Sequence, residues 1–241
     1  MHAAGSAIGG LLLLAAAQRD PAVPGLVASW SFEEGHGTSA ADTVRGYEAV
    51  FSGAPAWTAE AAPVRGSTCA LELDPARRDH LRVRRPGLPT PQEDFTVELW
   101  MRPRSDPATW LRAVAFLHDG NGFQLCYGLG GNVAFAVWRN GERVQVRNSA
   151  HPKNEWIHVA GVWEAATGTA RLFLNGREVG DNAGGSALGV DTGGDLLIGT
   201  RGDDQGYFDG MLDEIRIWNY ARTPGHIRAY FGQRIEAGPQ G

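Results

Sequence analysis

Three groups of carboxylates are spaced for chemistry. In "FDGMLDEIRIWNYA", residues 208 to 221, Asp213 and Glu214 stand side by side among Ile215, Ile217 and Trp218. Adjacent acids in an apolar run suit a metal site, a catalytic pair, or a structural arrangement in which one faces solvent and the other accepts from backbone amides. Successive strand residues point to opposite faces, so both side chains reach one small site only across a bulge. That parity does not suit a retaining glycosidase, whose two carboxyl groups flank the scissile bond about 5 Å apart. Glu72 and Asp74 in "ELD" do share a face, but Pro75 ends the strand and no third acid follows in register.

The third group, Asp203 and Asp204 in "GDDQGYFDG", lies on a turn beside Tyr207. Here the chemistry is recognition: an aromatic face stacks on a sugar ring while carboxylates and amides orient hydroxyls. Trp110, after the turn "SDPAT", and Trp138, ending a strand beside Arg139, are the other platform candidates. Trp30, Trp100, Trp156, Trp163 and Trp218 fall inside strand patterns and read as core. Nucleophilic catalysis has no support: there is no Gly-x-Ser-x-Gly elbow, and His158 in "WIHVAGVW" reads as a satisfied strand histidine rather than a base. Arg201-Gly202-Asp203 spells an integrin-type tripeptide, but its surroundings read as an ordinary Gly/Asp turn.

The elements that must position these residues are strands. "TVELWM" (96 to 101) alternates Val97, Leu99 and Met101 with Thr96, Glu98 and Trp100, and "NVAFAVW" (132 to 138) turns Val133, Phe135 and Val137 to one side; this period of two predicts half-buried strands. About a dozen such runs lie between residues 25 and 218, punctuated by 33 Gly and 13 Pro, with almost no helical periodicity. Asn140-Gly141 and Asn175-Gly176 are the strongest hairpin signals, because a type I′ turn needs positive φ at both central residues. Short strands with turn signals and no intervening helices predict an all-β jelly-roll β-sandwich of two antiparallel sheets. "TPGHIRAYF" (223 to 231) predicts a short C-terminal helix, with Thr223 as cap and Pro224 at the first position. No linker or repeat divides residues 26 to 231, which read as one domain followed by a tail at 232 to 241.

Composition narrows the partners. Of 241 residues 43% are hydrophobic and 20% charged, enough for a core and too few charges for disorder. A formal charge of -5 argues against nucleic acid, and the basic run "ARRDHLRVRR" (76 to 85) reads as a solvated strand face flanked by charge. "AIGGLLLLAAA" (7 to 17) is too short to span a bilayer and has the length of a signal-peptide core, with Ala15-Ala16-Ala17 as cleavage site; residues 1 to 17 are read as a leader, 18 to 25 as a lead-in, and the mature chain as secreted and not inserted in a membrane. Cys69 and Cys126 suit either one disulfide or two small core residues, and the sequence does not choose.

The order of motifs "LVASWSFEEGHGTSAADTVRGYEAVF", "ALELD", "FTVELWMRP", "WIHVAGVW", "ARLFLNGREV", "LLIG" and "GYFDGMLDEIRIWNYA" resembles the laminin-G-like, or pentraxin-like, branch of the concanavalin A-like lectin and glucanase superfamily, from residue 26 to about 231. The resemblance implies a jelly-roll module that binds carbohydrate or mediates adhesion, often with a structural calcium ion. Carried onto this chain, that ion would sit between the loop at Asp42 and Gly46 and the last strand at Asp213 or Glu214; the alternative is that these acids accept backbone amides at the sheet rim. The laminarinase-like relatives' Glu-x-Asp-x-x-Glu run is absent. The expected protein is therefore a secreted, non-catalytic module binding a glycan or glycosylated surface through Trp110, Trp138, Asp203, Asp204 and Tyr207. A protein-protein adhesion module is the alternative and a glycoside hydrolase the remote one.

Overall fold

The computed structural model describes residues 24 to 235 apart from 85, 91–92, 149–150, 185–192 and 203–205. The expected leader, most of the expected lead-in, most of the tail, and Asp203 and Asp204 lie outside the described residues. Sixteen strands run in chain order: β1 (Leu26–Trp30), β2 (Ser39–Ala41), β3 (Glu48–Ser52), β4 (Ala56–Thr58), β5 (Ala70–Leu73), β6 (His80–Val83), β7 (Phe95–Pro103), β8 (Leu111–His118), β9 (Asn121–Gly128), β10 (Asn132–Arg139), β11 (Glu142–Asn148), β12 (Ile157–Glu164), β13 (Thr169–Leu174), β14 (Arg177–Ala183), β15 (Leu196–Ile198) and β16 (Gly210–Trp218). Among the described residues one α-helix follows these strands, α1 (Pro224–Tyr230). Thr223 caps it, its Oγ1 accepting from His226 N at 3.2 Å, with Pro224 in the first turn.

Sheet A has the order β14-β13-β12-β7-β16-β5-β4, with β1 also paired to β16, and sheet B the order β11-β10-β9-β8-β15-β6-β3-β2. All the strand pairings are antiparallel. The two Asn-Gly turns are as expected: φ is 49° and 82° at Asn140-Gly141 and 47° and 74° at Asn175-Gly176, joining β10 to β11 and β13 to β14. β2, β3 and β4 are not among the expected strands; they are short, Ala- and Ser-rich, and held by their pairing with stronger strands.

Between the sheets, Val97, Leu99, Met101, Leu172, Ile215 and Ile217 of sheet A meet Val114, Phe116, Phe123, Leu125, Phe135 and Val137 of sheet B in one core. The expectation of half-buried strands fails for β7 of sheet A and also for β9 and β10 of sheet B, where the outward Cys126, Ala134 and Ala136 are buried as well. Thr96, Glu98 and Trp100 point away from this core yet are also buried, because α1 and the segments around Ala62–Val64 and Phe231 roof the outside of the sheet. Trp100 Nε1 donates to the Phe231 carbonyl at 2.9 Å, pinning that roof.

Candidate functional site

The acids of β16 answer the parity problem with a bulge. The β16–β7 register shifts between Asp213 and Arg216, and Glu214 has φ 51°, so Asp213, Glu214 and Arg216 all serve the outer side of sheet A. Asp213 Oδ2 accepts from Ala62 N at 2.9 Å and lies 3.0 Å from Ser67 Oγ, while Oδ1 accepts from Glu214 N at 2.8 Å. Ser67 Oγ is also 2.9 Å from Glu33 Oε1. A hydroxyl carries one proton, so Ser67 donates to only one of these two carboxylates, each of which also accepts a backbone amide. Burial and the neighbouring Glu214 raise the Asp213 pKa to about 7, although the Ala62 amide opposes the shift. Glu33 stays below its ordinary value, since its bonds to Thr68, Ser67 and Cys69 outweigh burial. Glu214 Oε2 accepts from Arg216 Nη2 at 2.7 Å.

Asp42 is occupied elsewhere. Its Oδ1 accepts from Ser29 N at 2.6 Å and Val44 N at 3.0 Å, and Oδ2 from Arg45 N at 2.7 Å; Gly46, at φ 74°, closes the turn by donating to the Asp42 carbonyl at 3.1 Å. Asp42 and Asp213 share no partner. Among the described residues no three His, Cys, Asp or Glu side chains are grouped to hold a metal ion. The set Asp42, Gly46, Asp213 and Glu214 is thus not gathered around one calcium ion: Asp42's oxygens are taken by backbone amides elsewhere, and of Glu214 only Oε2 is taken by Arg216 while Oε1 is buried without a hydrogen-bond partner.

Next to these acids lies a buried charge cluster. Arg222 Nη1 reaches Glu98 Oε1 and Oε2 at 2.7 and 2.8 Å, Trp218 Nε1 donates to Oε1 at 3.1 Å, and Arg216 Nη1 stands 3.7 Å from Oε1. Burial pushes the Glu98 carboxyl up, but contact with His158 and the charges of Arg222 and Arg216 outweigh it and bring the pKa down to about 2. His158 is buried as expected of a strand histidine, yet it is not satisfied: neither ring nitrogen has a hydrogen-bond partner, Nε2 standing 3.5 Å from Glu98 Oε2. Burial lowers its pKa despite Glu98, which keeps it neutral. Glu72 is ion-paired to Arg104, and Asp74 caps the short 3-10 turn that begins at Pro75.

Trp110 and Tyr207 approach each other at one rim. Arg112 N donates to the Gly206 carbonyl at 2.9 Å and Arg112 Nη1 to the Trp110 carbonyl, so the two loops meet over the start of β8. Both aromatic side chains are partly exposed, and the Tyr207 ring lies 5.8 Å from that of His80. Trp138 is on the outer side of sheet B, toward the other end of β10.

The residues that sequence reasoning missed are on that outer side. Register aligns Gln145, Ala136, Gln124, Ala115, Leu197, Arg82 and Val50 in one row across sheet B. A parallel row runs Arg147, Ala134, Cys126 and Arg112, and a third Arg143, Trp138, Gly122 and Leu117. Ala115, Cys126, Ala134 and Ala136 are buried but belong to none of the hydrophobic clusters. Beside them Gln124, 7% exposed, has no hydrogen-bond partner for Oε1. Cys69, immediately before β5, and Cys126, on sheet B, are both free thiols.

Residues 76–228 match the laminin-G-type family model of the concanavalin A-like lectin/glucanases superfamily, and the chain belongs to that superfamily. A rat protein, the Sushi, von Willebrand factor type A, EGF and pentraxin domain-containing protein 1 of Rattus norvegicus, is 22% identical over 144 residues, covering 56% of this chain and 4% of that relative. The chain thus spans a small fraction of the relative's length. Among solved structures, domain 4 of AbnA, a GH43 extracellular arabinanase from Geobacillus stearothermophilus, in complex with arabinotriose, superposes with TM-score 0.68 at 18% identity over 87% of this chain and 98% of that one. The binding domain of Paraclostridial Mosquitocidal Protein 1 does so with TM-score 0.68 at 17% identity over 86% and 52%. At these identities the superpositions establish the fold.

Proposed function

We propose that this domain is a non-catalytic glycan-binding module of a secreted protein. The observation that carries the reading is the inequality of the two faces. The outside of sheet A is roofed by α1 and its neighbouring segments, whereas the outside of sheet B presents the half-buried Gln145 and Trp138 beside the buried Gln124, bordered by the joined loops of Trp110 and Tyr207. Amides to orient hydroxyls and aromatic faces to stack on sugar rings are what such recognition requires. A structural neighbour holding arabinotriose and another that is a toxin's binding domain support recognition rather than turnover. The commitment of Glu72, Asp74, Asp213 and Glu214 to structural partners points the same way. Secretion rests on the apolar run at residues 7 to 17. Among the described residues no helix is long and apolar enough to cross a membrane.

A glycan array tests the reading. Binding that Trp110→Ala, Trp138→Ala or Tyr207→Ala abolishes, with melting unchanged, supports it. Silence on the array together with capture of a defined protein partner would replace it with an adhesion module, and release of reducing ends from a polysaccharide would replace it with a hydrolase.

A further inference from the structure

Alternation along β3 and β6 sends Glu48, Val50 and Ser52 of one strand and Arg82 of the other to the outer side of sheet B, with Val50 opposite Arg82. Continued by one residue, the same register brings Glu48 opposite Arg84. The neighbouring edge strand β2 sets only the small Ser39 and Ala41 against Val50 and Glu48. Long side chains on one flank and short ones on the other leave a cavity of about 640 Å³, with Tyr47, Glu48, Val50, Ser52, Arg82 and Arg84 in its lining. A cavity of that size takes a small ligand.

Part of the wall is fixed in advance. The Tyr47 carbonyl accepts from Asp42 N at 2.8 Å and from Trp30 Nε1 at 3.3 Å, and its hydroxyl accepts from Gly87 N at 3.2 Å. Arg82 already stands 3.5 Å from Asp195. Three other lining groups are uncommitted. Val50 is 48% exposed, one of two large apolar side chains so open among the described residues. The side chains of Glu48 and Arg84 are exposed and have no hydrogen-bond or ion-pair partner among the described residues.

Each uncommitted group asks something of a ligand. Covering the exposed valine is favourable for any apolar face. A carboxylate only accepts and a guanidinium only donates. Facing residues of neighbouring strands have their Cβ atoms about 5 Å apart, so Glu48 and Arg84 offer one acceptor and one donor to the same small group. Two adjacent hydroxyls of a ring match that pair, one donating to Glu48 and the other accepting from Arg84. An anionic ligand drawn to Arg84 would meet the charge of Glu48, and a cationic one the reverse. A neutral sugar ring supplies both hydroxyls together with a CH face for Val50.

We propose that this cavity is a second saccharide site, separate from the aromatic rim of Trp110 and Tyr207, which takes one neutral sugar unit by two adjacent hydroxyls between Glu48 and Arg84. The inference rests on the glycan-binding reading and adds to it a site and a ligand class. Two sites on one face hold a polysaccharide at two points, and the first contact raises the effective concentration of the second.

Amide chemical-shift titration of the full chain tests it, with arabinotriose, xylotriose and mannotriose as neutral probes and trigalacturonate as the acidic one. At least one neutral trisaccharide is expected to shift the amides of β3 and β6, with an affinity that changes little as salt rises. Glu48→Ala and Arg84→Ala are each expected to weaken that binding roughly tenfold without lowering the melting temperature, and Arg228→Ala on α1 to change nothing. Shifts on β3 and β6 that survive both substitutions together overturn the hydroxyl clamp. Tighter binding of trigalacturonate than of every neutral probe overturns the neutral class. Still amides on β3 and β6 with every probe overturn the second site, and leave the glycan module standing if β8, β9 and β10 respond or the array finds a ligand. Still amides throughout, with a silent array, sink both readings.

Discussion

Asp213 and Glu214, neighbours in sequence, lie on the same side of β16 because Glu214 adopts φ 51° within a bulge. The pair is enclosed, and burial with the adjacent Glu214 raises Asp213 from 3.8 to about 7. For a carboxyl raised on folding, the native state binds the proton more tightly than the unfolded chain, so stability is greatest at low pH and falls as pH rises from about 4 to about 7. The loss across that range is roughly 4 kcal/mol. Asp213→Asn is expected to flatten that part of the profile and to raise stability at pH 8, measured by urea unfolding from pH 4 to 8. A flat wild-type profile with a melting temperature that rises on adding calcium would show instead that a cation neutralises the pair.

Glu98 has the opposite sign. Its pKa is lowered to about 2, so its contribution is present above the ordinary carboxylate range and is lost as pH falls toward 2. Removing one member of a buried ion cluster strands the others. Arg222→Met is expected to cost about 3–5 kcal/mol in urea unfolding at pH 7. A loss below 1 kcal/mol would mean that Arg216 alone balances Glu98.

Gly161 in β12 faces the core where the Phe135 ring comes closest, and a Cβ there would overlap the ring. Gly161→Ala is expected to destabilise by about 1–3 kcal/mol, and Gly161→Ala with Phe135→Leu to recover part of that loss. Additive losses would show that the two sheets do not meet through this contact.

Both thiols are free, Cys69 just before β5 of sheet A and Cys126 in β9 of sheet B, and burial holds Cys126 in its protonated form with a pKa of about 12. A disulfide-reactive dye at pH 8 is expected to leave Cys126 unreacted in the native protein and to count two thiols after denaturation. No thiol after denaturation would demonstrate a bridge.

What the sequence made legible was local. Thr223-Pro224 marked the helix start and the Asn-Gly pairs marked both hairpins, because caps and type I′ turns depend on residues within a few positions. Val97, Leu99 and Met101 announced their inward face by alternation. The rest depended on strand order. Glu98 occupied an alternate position that reads as solvent-facing, and it and Trp100 are buried on the outer side of the sheet only by the roof of α1 and Phe231. The bulge at Glu214 fell on a residue with no intrinsic preference for positive φ, and the amides that occupy Asp42 come partly from Ser29 in another strand. The row from Gln145 to Val50 joins residues nearly a hundred positions apart, and no periodicity could have assembled it.

The outer face of sheet B is tested most directly by amide chemical-shift mapping with an oligosaccharide found to bind. Perturbed amides are expected on β8, β9, β10 and the loop at Gly206–Phe208, with the groove of Tyr220, His226 and Tyr230 beside α1 unmoved. Shifts gathered in that groove, with sheet B silent, would contradict it.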